Sequence, residues 1–252
     1  DSSTSRGLGD VYKRQRQYKA SECLRHAVEL DARLRAESSD STAVTDELAH
    51  SLRLLLPGAA HLPWDKFEHV CTTYEQLRYA TGVVALGLAS AHAVDPADAA
   101  VSFRADGCPA DEPMSHRHAM YALRRRIYAL VLRALRDDAE AMRQALASDD
   151  ALFHEELYTY MIAHGKTSEL LSTPTPFLED FLQGTPVLLD GQSLETYERR
   201  LRDLLWQWYV RQGEYLAAAQ TLDALAHTDT YALHLYERIE SVSYTHLRAH
   251  ET

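Results

Sequence analysis

LYTYMIAHGK at residues 157–166 returns without gaps as LWQWYVRQGE at residues 205–214, an offset of 48 residues that keeps aromatic, aliphatic and glycine positions in step. Gly165 closes the first copy as a helix C-cap, because glycine takes the left-handed conformation that ends a last turn, and Gly213 ends the second. The offset lies near the period of about 40–47 residues of HEAT and armadillo helix pairs. One helix pair cannot bury its own apolar face, and stacking neighbours removes that problem. The expected fold is all-α, an α-solenoid of stacked antiparallel helix pairs with irregular HEAT/armadillo-like repeats.

Working outward from this echo, Ser193 starts a helix with Leu194, Tyr197, Leu201, Leu204, Leu205 and Trp208 inward, and a second helix carries Tyr215, Ala218, Leu222 and Leu225 in register. A third begins near Thr230, and residues 185–192 read as a loop. Upstream, Ser148 and Asp149 suit a helix N-cap, and Thr175-Pro176 suit the N-cap and first position of a short helix ending near Gly184. Residues 116–147 read as one continuous rod of about 48 Å, from 1.5 Å per residue. Residues 95–115, with three prolines, Gly107 and several acids, read as a loop. Residues 16–37 and 41–56 read as helices, Pro63 opens a third, and the alanine-rich stretch 81–94 reads as a buried helix. No convincing period-two segment interrupts the series.

The two ends are set apart. The stretch 242–252 (VSYTHLRAHET) has a possible coding sequence whose reverse complement, read in a shifted frame, encodes SRGLGDVYKR and the first base of a Gln codon, which is residues 5–15. Both ends are thus expected to be one adapter DNA translated in opposite orientations, 1–15 and 242–252 being non-native and 16–241 the solenoid fragment. Residues 1–15 carry net +1 and 242–252 net 0, so the chain's −11 becomes −12 over 16–241. So acidic a chain is a poor partner for phosphate backbones.

The longest uncharged apolar stretch, 80–94, has 15 residues, short of the roughly 20 a bilayer-spanning helix needs. Cys23, Cys71 and Cys108 are three and widely spaced, which gives neither a disulfide framework nor a CxxC metal knuckle and points to a reducing compartment. No signal-peptide core and no Asn for glycosylation are present in this sequence.

The search for chemistry returns no catalytic, cofactor or metal residues. Gly165-Lys166-Thr167 mimics the end of a P-loop, but Tyr160 stands where the motif needs glycine. His154-Glu155 begins an HExxH pattern that Tyr158 fails to finish, and His116-x-His118 lacks further ligands, so all three histidines are expected at the surface. Arg124-Arg125-Arg126 spreads around a helix and is expected to be a solvated face. Trp206, Trp208 and Tyr209 are candidate partner hot spots, with the inward spacing of Trp208 favouring core. Thr173-Pro174 and Thr175-Pro176 resemble proline-directed phosphorylation sites, although helix entry accounts for the second without regulation.

SDDALFHEELYTYMIAHGKTSELLSTPTPFLEDFL (148–182) followed by LRDLLWQWYVRQGEYLAAAQTLDALA (201–226) resembles the carboxyl-side α-helical solenoid of the large inner-ring nucleoporins, the 155/170-kilodalton class. FEHVCTTYEQLRYATGVVALGLASAHAVDP (67–96) is similar to the segment preceding that block, and 95–115 is where the family often carries a longer insertion. The resemblance implies a structural component of the nuclear pore complex in the nuclear envelope, without cofactor. It would bind other nucleoporins through linear peptide segments, with no direct nucleic acid and no membrane contact from this fragment. A helical-repeat adaptor or coat-type subunit of another assembly is the alternative, because fold alone does not separate function.

Overall fold

The computed structural model describes residues 2–37, 42–109, 115–136, 138–173, 175–184 and 194–227. Among them there is no strand, as the missing period-two pattern predicts. The expected loop at 185–192, the helix near Thr230 and the end 242–252 lie outside the described residues. The chain divides into two compact units, Asp1–Phe153 and His154–Thr252.

In the first unit, α1 (Ser2–Glu37) forms a hairpin with α2 (Thr42–Leu55), burying Ala20, Leu24 and Ala27 against Val44 and Leu48. The helix is continuous through residues 2–15, with no break at Gln15. Pro57 turns the chain into a 3-10 segment, Leu56–His61, where the sequence suggested a plain stop. Pro63 is the N-cap of α3 (Trp64–Gln76), which is followed by α4 (Ala80–Val94), α5 (Ala99–Ala105), α6 (His116–Ala134) and α7 (Ala139–Leu146).

Helix α4 is the centre of this unit and packs on α2, α3, α6, α7 and the 3-10 segment, so it is apolar all round, with Val83, Val84, Leu86 and Ala91 buried. Gly87 lets α6 approach: a Cβ there would lie 2.3 Å from Val131 Cγ2.

Two expectations are corrected here. The 116–147 rod is broken: α6 ends with Leu135 as C-cap, and the Asp138 side chain accepts from the Ala141 N–H at 2.9 Å to start α7. A carboxylate beside the first N–H groups of a new helix competes with continuation of the old one, so α6 is a rod of only about 28 Å. The 95–115 stretch is not all loop either, since it contains α5 with Phe103 buried beneath it. Asp95 accepts from the N–H of Ala99 at 2.8 Å and of Ala100 at 3.0 Å, and that carboxylate holds the helix start.

α8 (Ala151–Ala163) begins where Asp150 accepts from the Phe153 N–H at 3.1 Å, so the cap is Asp150 rather than the expected Ser148 or Asp149. In the second unit it leads to α9 (Thr167–Ser172), α10 (Leu178–Gln183), α11 (Leu194–Gln212) and α12 (Tyr215–His227), with α9, α10 and α12 all packed on α11. The sequence echo is geometric as well. Gly165 and Gly213 have φ +72° and +82°, and the next residue donates back in both copies, Lys166 N to Met161 O and Glu214 N to Tyr209 O, each at 2.9 Å.

Helix α10 starts at Leu178, not at Pro176. Thr175 Oγ1 accepts from the Tyr158 hydroxyl at 2.6 Å and ties the connection to α8 instead of capping α10. Burial pushes the Tyr158 phenol up to about 12.

Candidate functional site

Because α1 and α3 are separated by the α2 hairpin and the 3-10 segment, their facing surfaces leave a groove of about 710 Å³ in the first unit. Leu24, Leu55 and Val70 are buried at its floor, while Tyr18 and Val28 stand 65% and 45% exposed on its α1 wall. Lys66 and His69 of α3 and Arg25 of α1 line the rim. Gln17 Nε2 donates to His61 O at 3.5 Å near one end. Arg14, at the same end, belongs to the stretch expected to be adapter-encoded. The arrangement is an apolar trough with cationic edges on an acidic chain. It can take a linear segment carrying apolar anchors and acidic residues.

The arginine run divides in three. Arg124 is buried, against the expectation of a solvated face, and Arg126 is exposed over the Trp64 ring at 3.8 Å. Arg125 lies 5.6 Å from the Tyr121 ring centroid. Arg124 Nη1 donates to Asp95 and Asp98 at 3.2 Å each, Nη2 to Asp150 at 2.8 Å and Nε to the Tyr128 hydroxyl at 2.7 Å. Tyr128 in turn donates to Asp150 at 2.6 Å, and burial with the neighbouring Asp150 charge pushes its pKa far up. One guanidinium thus joins the two carboxylates that start α5 and α8. The Arg124 nitrogens and both oxygens of Asp95 and Asp150 are engaged within this cluster and the adjoining helix starts, so it is structural, and the carboxylate partners of Arg124 lie 26 to 29 residues away in sequence, out of reach of any spacing rule.

Other candidates are placed as follows. His154 is fully buried rather than at the surface, its ring 5.0 Å from Phe177 and 5.2 Å from Tyr158. His116 is exposed, and His118 packs edge-on to Phe103 at 5.4 Å. Among the described residues no group of three or more His, Cys, Asp or Glu is placed to hold a metal. Gly165 caps α8, and Lys166 and Thr167 begin α9, with no phosphate loop formed. Trp208, expected in the core, is only half-buried, whereas Tyr209 is 9% exposed. The reason is α10, which flanks α11 and holds the Tyr209 hydroxyl between Gln183 at 2.7 Å and Glu179 at 2.9 Å. Trp206 donates to Asp203 at 2.8 Å on the surface.

The packed helix pairs, with no strand among the described residues, define an all-α protein of the α-solenoid class. The chain belongs to the nucleoporin family described as "Non-repetitive/WGA-negative nucleoporin C-terminal", whose model matches residues 12–246. That membership places it at the nuclear pore complex of the nuclear envelope. It is 25% identical over 256 aligned positions to the Drosophila melanogaster nuclear pore complex protein Nup154, covering 88% of this chain and 18% of that protein. It is 28% identical over 179 positions to a probable nucleoporin of Schizosaccharomyces pombe, covering 66% of this chain and 13% of the relative. The chain therefore spans less than a fifth of either relative.

Solved structures of the Chaetomium thermophilum Nup170 CTD share its fold. A methionine-substituted form superposes with TM-score 0.75 at 25% identity over 92% of this chain and 45% of the other. The Nup170 CTD-Nup145N complex gives 0.69 at 27% identity, over 87% of this chain and 44% of that one.

Proposed function

We propose that this chain is a scaffold segment of the nuclear pore complex inner ring, without enzymatic activity, that binds other nucleoporins through their linear segments and so supports nucleocytoplasmic transport. The observation that carries the reading is the family match over residues 12–246, joined to the likeness to a Nup170 CTD crystallised with Nup145N. The α1–α3 groove is the seat for such a segment. Its floor is apolar, and Lys66 attracts acidic residues flanking an anchor, while Arg25 on the opposite wall is paired with Glu29 at 2.7 Å. The net charge of −11 works against nucleic acid as a ligand, and no described helix is long and apolar enough to cross a membrane.

The test is capture of labelled linear segments from nucleoporins by this chain and by a longer solenoid, with nucleic acid as control. Saturable capture by both is expected, weakened about tenfold by Tyr18→Glu with Lys66→Glu, which corresponds to about 1.4 kcal/mol. Saturable nucleic-acid binding with a steep salt dependence and no peptide capture counts against the scaffold reading.

A further inference from the structure

The sequence contains the run Ser172-Thr173-Pro174-Thr175-Pro176, two Thr-Pro pairs that a proline-directed kinase would not tell apart by motif. The second unit separates them. Thr175, like Thr173, is partly exposed, but its Oγ1 is engaged by the hydroxyl of the fully buried Tyr158 at 2.6 Å, so freeing it breaks a bond to the α8 core. Thr173 is the C-cap of α9, partly exposed, with φ −92° and ψ 120°, an extended backbone of the kind a residue before proline favours and a kinase cleft accepts. Its hydroxyl only donates to Glu169 O at 2.9 Å, a last-turn bond that opens locally.

A second observation lies beside it. Arg211 of α11 reaches the end of α9, where Nη1 donates to Ser172 Oγ at 2.7 Å and to Ser168 O at 3.2 Å. Its guanidinium is therefore held against Ser172, the residue before Thr173 in the chain. A phosphate on Thr173 offers this guanidinium, whose Nη1 now serves two neutral oxygens, a charged acceptor, and charge-assisted bonds are the stronger kind. The C-terminal dipole of α9 and the Glu169 carboxylate oppose the added charge. Helix α9 is a short element, so its dipole is weaker than a direct guanidinium contact.

We propose that Thr173 is a phosphorylation site and Arg211 its phosphate receptor, the modification fastening α9 to α11. A kinase transfers the γ-phosphoryl group of a nucleoside triphosphate. The bond between the γ-phosphorus and the bridging oxygen breaks, the Thr173 Oγ1–P bond forms, the hydroxyl proton leaves and the nucleoside diphosphate departs. A third pair, Thr185-Pro186, lies outside the described residues, so the test must localise the phosphate.

The whole chain is treated with a proline-directed kinase and a nucleoside triphosphate, and occupancy at each threonine is read by mass spectrometry. Thr173 is expected to carry at least about tenfold more phosphate than Thr175, and Thr173→Ala removes that signal. Equal or greater labelling of Thr175 overturns the assignment, as does no labelling of Thr173 by a kinase that modifies the free peptide 168–177. Phosphorylation should raise Tm by about 2–4 °C. Arg211→Gln should abolish the rise and Arg211→Lys should keep part of it. The same shift in all three proteins overturns the receptor role.

Discussion

Replacing Arg124 by methionine probes the internal cluster most directly. The Arg124 side chain is 3% exposed and that of Asp95 is 1% exposed, with Asp150 at 14%. Methionine keeps much of the stem volume but removes four donated hydrogen bonds and the positive charge that joins three carboxylates. Asp95 retains its bonds from the Ala99 and Ala100 N–H groups, and Asp150 keeps those from Tyr128 and Phe153, so neither is stripped bare. The uncompensated buried charge still dominates, and breaking such a pair from one side costs about 3–5 kcal/mol. At about 2–4 °C per kcal/mol, Tm should fall by about 6–20 °C. The assay is thermal and urea unfolding followed by circular dichroism, with Arg126→Met as the matched control on the same helix. That side chain is exposed and lies over Trp64, so its loss should cost no more than about 1 kcal/mol. Arg124→Met within 1 kcal/mol of wild type, or indistinguishable from Arg126→Met, refutes the argument that the cluster holds the α5 and α8 starts.

Four further outcomes are expected. Gly87→Ala places a methyl 2.3 Å from Val131 Cγ2 and should cost about 1–3 kcal/mol in denaturant unfolding, with partial recovery on adding Val131→Ala. Tyr209→Ala should cost about 3–4 kcal/mol and the half-buried Trp208→Ala about 1–2, so the reverse order in the same assay contradicts the inward placement of Tyr209. Burial pushes the Cys71 thiol up to about 12; the thiolate needed for reaction forms only as pH rises toward that value, so a maleimide at pH 8 should label Cys23 and Cys108 but leave Cys71 unmodified in the native chain, as mass spectrometry will read. Deleting 1–15 and 242–252 should leave Tm and the cooperativity of unfolding within error, with the helical signal lowered only by the α1 turns removed, and loss of cooperative unfolding on trimming would contradict the adapter origin of the ends.

The period of apolar residues was enough to read the all-α class, because burying one stripe of each helix is a local requirement written into every turn. The repeat at 157–166 and 205–214 was legible for the same reason, since a left-handed glycine and a helix end are both short-range events. Helix breaks were less so. Asp138 and Asp95 each start a helix inside stretches whose composition read as rod and as loop, and capping by a single carboxylate is decided by local geometry that a pattern of apolar positions does not encode.

What lies beyond the sequence concerns partners distant along the chain. Nothing near Arg124 in sequence distinguishes it from Arg125 and Arg126. It is buried because α6 turns that one position toward Asp95, Asp98 and Asp150, which arrive from two other helix starts. His154 and Tyr209 follow the same logic, His154 packed against Phe177 where a surface histidine was expected and Tyr209 drawn inward by α10 where helical phase favoured Trp208. The groove between α1 and α3 is likewise a product of which helices face one another, since its floor residues Leu24, Leu55 and Val70 are of the same types as the rest of the core. Period and composition constrain each helix alone, whereas the fate of a polar or aromatic side chain depends on what the fold brings against it.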